Sequence, residues 1–233
     1  MGLGKTLQAI SLICHLKEVN EMTGTSLIIC PLSVLYSWCD EIAKWAPSLK
    51  FLRFHSSNPE SIDTANLTQY DIVITTYEMA KAPALKNTVW ARQYFNLLVL
   101  DEGHRIKSAE TQISQAVRKI HCENRIILTG TPLANNLVEL WSLLNFLLPD
   151  VFTVSEPFAE AFNLTLNIVD PVKLEQANKL LNIFMLRRLK TEVEKLMPKK
   201  IETKVCGCAF FGLSSVASYD WRKELDREHL VAA

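Results

Sequence analysis

The feature that most constrains this chain is the alternation of short apolar runs with longer helical patterns. The runs are rich in Ile, Val, Leu and Phe, and they occupy 27–30, 51–54, 72–76, 97–100 and 126–128. The helical patterns occupy about 5–19, 33–45, 108–121 and 137–147. Continuous apolar runs are typical of strands that are buried on both faces. The alternation therefore predicts an α/β fold, a parallel sheet with helices on both faces.

Size and composition agree with a globular chain of this class. The 233 residues are 48% hydrophobic, and 25 lysines and arginines balance 25 aspartates and glutamates, which excludes a disordered chain. The longest apolar stretch, 140–152, is interrupted by polar residues and is shorter than the ~20 residues that cross a membrane, so we expect no membrane partner. Six cysteines without a C-x-x-C pair indicate reduced thiols of an intracellular protein.

Residues 2–6 form a candidate phosphate loop. The segment Gly-Leu-Gly-Lys-Thr leads directly into a predicted helix and matches the second half of the pattern G-x-x-x-x-G-K-[ST]. In that pattern backbone N–H groups and the helix N-terminus hold phosphate, the lysine reaches the β/γ-phosphates and the hydroxyl holds Mg²⁺. The half-motif predicts a nucleotide site, although by itself it also fits an ordinary turn.

Two other segments place polar residues where a predicted strand ends. Asp101 and Glu102 follow the run 97–100, and Thr-Gly-Thr-Pro at 129–132 follows the run 126–128. Ligands bind at the carboxyl ends of strands in parallel α/β sheets. An aspartate there can hold the Mg²⁺ shell, and the next carboxylate can orient or deprotonate an attacking water. An ordinary polar turn remains the alternative for each segment.

Eight segments, in collinear order, resemble the first RecA-like lobe of the Swi/Snf family. Members of that family are helicase-like, DNA-stimulated ATPases that remodel chromatin. The segments are MGLGKT (1–6), ICPLS (29–33), the Trp, Glu, Lys and Trp at 38, 41, 44 and 45, ITTY (74–77), DEGHRIK (101–107), LTGTPL (128–133), LWSLLNFLLP (140–149) and FMLRR (184–188). The DEGH box and the LWSLLNF run are the most specific of these. The imitation-switch and lymphoid-specific-helicase branches are the most similar.

The resemblance implies a site for ATP and Mg²⁺ and a role for each residue in it. Lys5 would bind the β/γ-phosphates. Thr6 and Asp101 would hold Mg²⁺, and Glu102 would be the catalytic base. The nucleotide-binding residues would be Gly2, Gly4, Lys5 and Thr6, and the catalytic residues Lys5, Asp101 and Glu102.

The resemblance also implies contacts with double-stranded DNA. The residues that couple the nucleotide state to DNA would be His104, Thr129, Gly130 and Thr131. The segments 31–33 and 75–77 would face the DNA backbone, with Ser33, Thr75, Thr76 and Lys107 as the DNA-facing residues. The basic stretch 187–204 fits either a DNA clamp or a solvated helix face whose arginines pair within the lobe.

The resemblance implies that the chain is a RecA-like P-loop NTPase lobe that is truncated at its N-terminus. It begins inside the phosphate loop, so we expect the strand that feeds the loop and the whole second lobe to be missing. Residues 1–150 would hold the core motifs, 151–205 a helical extension that ends the lobe, and 206–233 a divergent tail. Because the second lobe supplies arginines to the ATP site, this chain alone should hydrolyse ATP weakly or not at all.

The leading functional hypothesis is the ATP-binding lobe of a nuclear, DNA-dependent ATPase that moves DNA on nucleosomes. Its expected partners are double-stranded DNA, nucleosomes and remodeller subunits. One alternative is a catalytically inactive fragment that acts at most as a binding module. Another is an unrelated phosphate-loop kinase or GTPase, which the DEGH box contradicts.

Overall fold

The computed structural model describes residues 3–19, 24–56, 67–85, 89–90, 92–130, 137–154, 179 and 183–188. All of these belong to one compact unit, residues 1–190, and residues 191–233 form a second unit outside the described part. The tail predicted over 206–233 and the basic residues 189–204 therefore lie outside the described residues, as do Gly2 and Thr131. The three predicted domain ranges stay predictions.

Five parallel strands form one sheet, as the sequence predicts. The strands are β1 (Ser26–Cys30), β2 (Phe51–Arg53), β3 (Ile72–Thr76), β4 (Tyr94–Asp101) and β5 (His121–Leu128), and their order is β2-β3-β1-β4-β5. In the register, Leu27 of β1 lies opposite Val73 of β3 and Leu98 of β4. Every residue of β1 and β3 is buried, as expected for strands covered on both faces.

Helices cover both faces of this sheet, which confirms the predicted architecture. They are α1 (Lys5–Glu18), α2 (Leu35–Trp45), α3 (Tyr77–Lys81), α4 (Pro83–Leu85), α5 (Gln112–Arg118) and α6 (Leu137–Leu147). On one face α1 and α2 pack against Ile28, Ile74 and Val99. On the other, α3, α5 and α6 pack against Leu27 and Leu98. No helix within the described ranges is long and apolar enough to cross a membrane.

The predicted and observed elements differ most around β5. This strand begins at His121, whereas the apolar run predicts a start at Ile126. Its first half is polar and largely exposed because β5 lies at the edge of the sheet. Helix α5 is correspondingly shorter than predicted, and it begins where the Thr111 hydroxyl accepts a hydrogen bond from Ser114 N, 3.2 Å away. Hydropathy alone gave no signal for a polar edge strand.

Candidate functional site: a nucleotide cleft at the strand ends

The predicted phosphate loop and the predicted acidic pair meet in one cleft. The cleft has a volume of about 460 Å³ and is lined by Gly4, Lys5, Thr6, Leu7, Glu41, Trp45, Asp101 and Glu102. Residues 4–7 come from the start of α1, and the two acids follow the carboxyl end of β4. Because all five strands are parallel, this edge of the sheet is also the one at which β1, β3 and β5 end.

The loop enters α1 through a glycine in the left-handed region. Gly4 has φ 71°, a conformation in which a side chain is strained, and the helix begins at the next residue. The carbonyl of Gly4 accepts the first helical bond from Gln8 N at 3.0 Å. Gly4, the N-cap residue, has no side chain that could accept from the first N–H groups of the helix. These groups belong to residues that line the cleft, an arrangement that suits an anionic phosphate.

Asp101 is fixed by bonds from three other parts of the lobe. Its Oδ1 accepts from Glu102 N at 2.9 Å, and its Oδ2 accepts from Trp38 Nε1 of α2 at 2.8 Å. Its main-chain carbonyl accepts from the Tyr77 hydroxyl of α3 at 2.7 Å. The end of β4 is therefore tied to a helix on each face of the sheet.

Glu102 combines a strained backbone with an unsatisfied carboxylate oxygen. Its φ is 52°, which makes it the one non-glycine residue with positive φ among those described. Such a conformation costs of order 1–3 kcal/mol and is common at functional sites. Its Oε2 is buried without a hydrogen-bond partner, and it lies 3.2 Å from His104 Nδ1 in an orientation that forms no hydrogen bond. The Glu102 carboxylate is therefore paired closely with the imidazole two positions along the chain.

The turn after Glu102 is packed against two neighbouring elements. Residues Gly103–Ile106 form a 3-10 turn, and a Cβ at Gly103 would overlap the Ile127 side chain of β5. The Arg105 guanidinium bonds Glu78 at 3.2 Å and lies 5.2 Å from the centre of the Tyr77 ring. The turn that carries His104 thus contacts α3 on one side and β5 on the other.

The structure corrects the prediction that Thr75 and Thr76 face DNA. Both residues are fully buried. The Thr75 hydroxyl donates to the Phe54 carbonyl at 2.8 Å, and the Thr76 hydroxyl caps α3 by accepting from Met79 N at 3.3 Å. The two hydroxyls therefore hold the lobe together. Tyr77, from the same segment, is buried as well.

Those of the other predicted DNA-facing and coupling residues that the structure describes lie along this edge of the sheet. Ser33, in the 3-10 turn Leu32–Val34 after β1, and Lys107 are exposed. After β5, Thr129 is half-buried and Gly130 is exposed.

One described arginine of the basic stretch contacts the lobe itself. When the Gln8 amide is oriented with its oxygen toward the guanidinium of Arg188, that oxygen lies 2.7 Å from Nη2. This contact fits pairing of the arginine within the lobe.

Sequence reasoning missed four residues that shape the cleft. The family resemblance includes Trp38, Glu41 and Trp45 without indicating a role, and it places Tyr77 toward DNA. In the structure Glu41 and Trp45 line the cleft, and Trp45 Nε1 donates to Glu41 Oε2 at 2.7 Å. The spacing 38, 41 and 45 is the one available signal, since it places all three residues on one face of a helix.

Cys30, at the end of β1, should be inert to alkylation in the folded chain. Burial, and then the negative charge of Asp101, raises the pKa of this thiol to about 12. Only about 10⁻⁴ of it is then thiolate at pH 8, and the thiolate is the nucleophile. We expect iodoacetamide to leave Cys30 unmodified in the native chain and to modify it in urea, as measured by peptide mass spectrometry. Equal rates in both states would contradict the buried position.

Comparison with known proteins identifies the family. The profile of the SNF2-related domain matches residues 1–216. The chain is 42% identical to the ISWI chromatin-remodeling complex ATPase ISW2 of Saccharomyces cerevisiae, over 97% of this chain and 20% of that protein. It is 41% identical to the transcription regulatory protein SNF2 of the same yeast, over 93% of this chain and 13% of that protein. The chain thus spans a fifth or less of these relatives.

A solved structure agrees with both the fold and the sequence match. The SWI2/SNF2 ATPase core of Sulfolobus solfataricus in complex with dsDNA superposes with a TM-score of 0.71 at 37% identity. The superposition covers 82% of this chain and 39% of that one. The parallel sheet with its two helical layers is the RecA-like fold of such cores. This chain belongs to the SNF2-related domain family of helicase-like ATPases.

Proposed function

We propose that this chain is the ATP-binding lobe of a DNA-dependent ATPase that remodels nucleosomes, coupling ATP hydrolysis to DNA movement. The observation that carries the proposal is the shared cleft. Lys5 and Thr6, at the N-terminus of α1, line the same cleft as Asp101 and Glu102 at the end of β4. A phosphate-binding helix N-terminus beside two carboxylates is typical of sites for phosphoryl transfer.

The residues of the cleft fit a magnesium nucleotide. Mg²⁺ prefers oxygen ligands and is held in such sites by one or two carboxylates together with substrate phosphates. Thr6 and Asp101 offer a hydroxyl and a carboxylate oxygen to the same cleft. In the part of the chain that the structure describes, no group of three His, Cys, Asp or Glu side chains has the arrangement of a complete metal site, and the phosphates would complete the shell. When bound, Mg²⁺ neutralises charge that develops on the phosphate oxygens.

The chain's own residues supply the remaining functions. Lys5 and the first N–H groups of α1 bind and orient the phosphates. Glu102 is the general base that accepts the proton of the attacking water. His104 Nδ1 lies 3.2 Å from Glu102 Oε2 and would sense a change at this carboxylate. Movement of the 103–106 turn would then displace Lys107, the next residue, and would displace Gly130 by way of β5.

The DNA-facing surface is proposed at the same edge of the sheet. Ser33 and Lys107 are exposed there and would contact phosphate oxygens, which position a protein on DNA without reading its sequence. The Sulfolobus core was solved with dsDNA, and the yeast relative is an ATPase of a chromatin-remodeling complex. These two similarities support double-stranded DNA, nucleosomes and remodeller subunits as partners of this chain. They also support a nuclear location.

A hybrid ATPase core tests the proposal. In it this chain replaces the matching part of the Sulfolobus solfataricus core, which supplies everything else. We expect the hybrid to hydrolyse ATP faster when double-stranded DNA is added, measured as phosphate release. Lys5→Ala should remove nucleotide binding and turnover because the β/γ-phosphates lose their cation, whereas exposed Lys50→Ala should change neither.

The outcomes separate the two hypotheses. DNA-stimulated turnover that depends on Lys5 supports the ATPase lobe. A hybrid that folds and binds ATP but never hydrolyses it contradicts the proposal and favours a catalytically inactive binding module.

A further inference from the structure

The indole of Trp38 makes a long-range contact to the acidic pair. This residue is 1% exposed, and its Nε1 donates to Asp101 Oδ2 at 2.8 Å across 63 positions of sequence. Asp101 itself is only 9% exposed. A hydrogen bond between a charged carboxylate and a buried N–H is short, directional and stronger than a neutral one. Trp38 is therefore well placed to fix the orientation of this carboxylate.

The bonding of Asp101 leaves the carboxylate oriented but still able to bind a cation. A free aspartate rotates broadly about χ2. Here each oxygen accepts one bond, Oδ1 from Glu102 N at 2.9 Å and Oδ2 from Trp38. A carboxylate has about four acceptor positions, so one on each oxygen remains for a cation or for the water around it. The two bonds come from different elements and together define the plane of the group.

The position of Trp38 is itself fixed by packing. Its ring belongs to the buried apolar cluster of α1, α2 and the sheet that also includes Ile10, Ile42 and Val99. The residues one and two turns further along α2, Glu41 and Trp45, line the nucleotide cleft. Helix α2 thus presents one face to the site, and Trp38 is the point at which that face bonds Asp101.

We propose that Trp38 is a positioning residue for the magnesium site: its N–H holds the Asp101 carboxylate in the orientation that binds Mg²⁺. The inference rests on the proposed function, which assigns Asp101 to the metal. It adds a residue on a separate helix that determines how well Asp101 performs that role. Removing a partner of this kind from a metal ligand typically weakens metal binding by about 10- to 100-fold.

The test measures metal binding without turnover. Mn²⁺ replaces Mg²⁺ as a paramagnetic probe, and electron paramagnetic resonance measures its binding to the 233-residue chain in the presence of a non-hydrolysable ATP analogue. Trp38→Phe keeps an aromatic ring and removes the N–H. We expect about 10-fold weaker Mn²⁺ binding, with metal-free nucleotide affinity changed by less than about 2-fold because Lys5 and the helix N-terminus are untouched.

Trp90→Phe is the matched control. Trp90 is also buried, and its Nε1 donates to the Met79 carbonyl at 3.3 Å, away from the cleft. This variant loses the same N–H and a similar ring volume, so it should retain the Mn²⁺ affinity of the unmodified chain. If Trp38→Phe fails to fold, as judged by circular dichroism, 3-benzothienylalanine at position 38 keeps the shape of the indole and removes only the N–H.

The possible results distinguish the inference from the function on which it rests. Unchanged Mn²⁺ affinity in a folded position-38 variant overturns the role of Trp38 and leaves the ATP site intact. An equal loss in Trp90→Phe also overturns it, because the effect would then be general. Failure of the unmodified chain to bind Mn²⁺ with the nucleotide contradicts the proposed function itself.

Discussion

Glu102→Gln in the hybrid ATPase core should lower ATP turnover by about 10²- to 10⁴-fold, the range that a general base typically contributes. Glutamine has the same shape, so the backbone at φ 52° and the neighbouring 3-10 turn should persist. An amide oxygen accepts a proton far less readily than a carboxylate does. Nucleotide binding should remain because Lys5 and Thr6 are unchanged.

Glu110→Gln provides the control for this measurement. Glu110 is exposed in the segment between the 3-10 turn and α5, outside the cleft, and loses the same charge. Steady-state phosphate release and equilibrium binding of the ATP analogue are measured for both variants. Turnover of Glu102→Gln within a factor of two of the unmodified hybrid would remove Glu102 from the role of base.

Much of the fold follows from local sequence signals. The run of β-branched residues at 72–76 predicts β3 with both bounds correct, because Ile, Val and Thr all favour strands. The polar start of β5 has no such signal, since an edge strand is stabilised by its ladder with β4 and keeps polar side chains in water. Local patterns therefore predict the centre of the sheet better than its edge.

The residues of the candidate site also fall into two groups, those with a local sequence signal and those without one. The loop at Lys5 and the pair Asp101 and Glu102 are recognisable in the sequence because nucleotide binding needs these residue types at short, fixed spacings. Thr76 and Tyr77 look like surface polar residues in sequence, but their hydroxyls bond Met79 N and the Asp101 carbonyl inside the lobe. The partner of Trp38 lies 63 residues away. Only the folded chain shows such pairs.

Arg118 should carry the second large effect, on stability. Its guanidinium donates to the Ser142 carbonyl at 2.7 Å, to the Ser142 hydroxyl at 2.9 Å and to the Asn145 side chain. It also lies 5.8 Å from the centre of the Phe146 ring, a cation–π distance. Arg118, at the end of α5, thus bonds the LWSLLNF run in addition to Arg125 of β5, which donates to the Phe146 carbonyl at 2.8 Å. These bonds give the polar residues in that apolar helix a structural role.

Arg118→Leu should therefore destabilise the chain by about 3 kcal/mol. Leucine fills part of the space, but the oxygens of buried Ser142 and half-buried Asn145 lose their charged donor and keep the cost of desolvation. For a domain of this size that loss corresponds to a fall in Tm of roughly 6–12 °C. Urea and thermal unfolding followed by circular dichroism measure both quantities.

Lys119→Leu is the control that distinguishes loss of the hydrogen-bond network from loss of a positive charge alone. Lys119 is the next residue, is exposed, and loses the same unit of positive charge, so its effect should stay within about 0.5 kcal/mol. Relief of repulsion with Arg125 acts in the opposite direction, because burial and then the Arg125 charge lower the pKa of Arg118. The loss of stability measured for Arg118→Leu is therefore the contribution of the hydrogen bonds minus that of the repulsion. Equal stabilities of the two variants would show that the hydrogen bonds of Arg118 add nothing to stability beyond the effect of its charge.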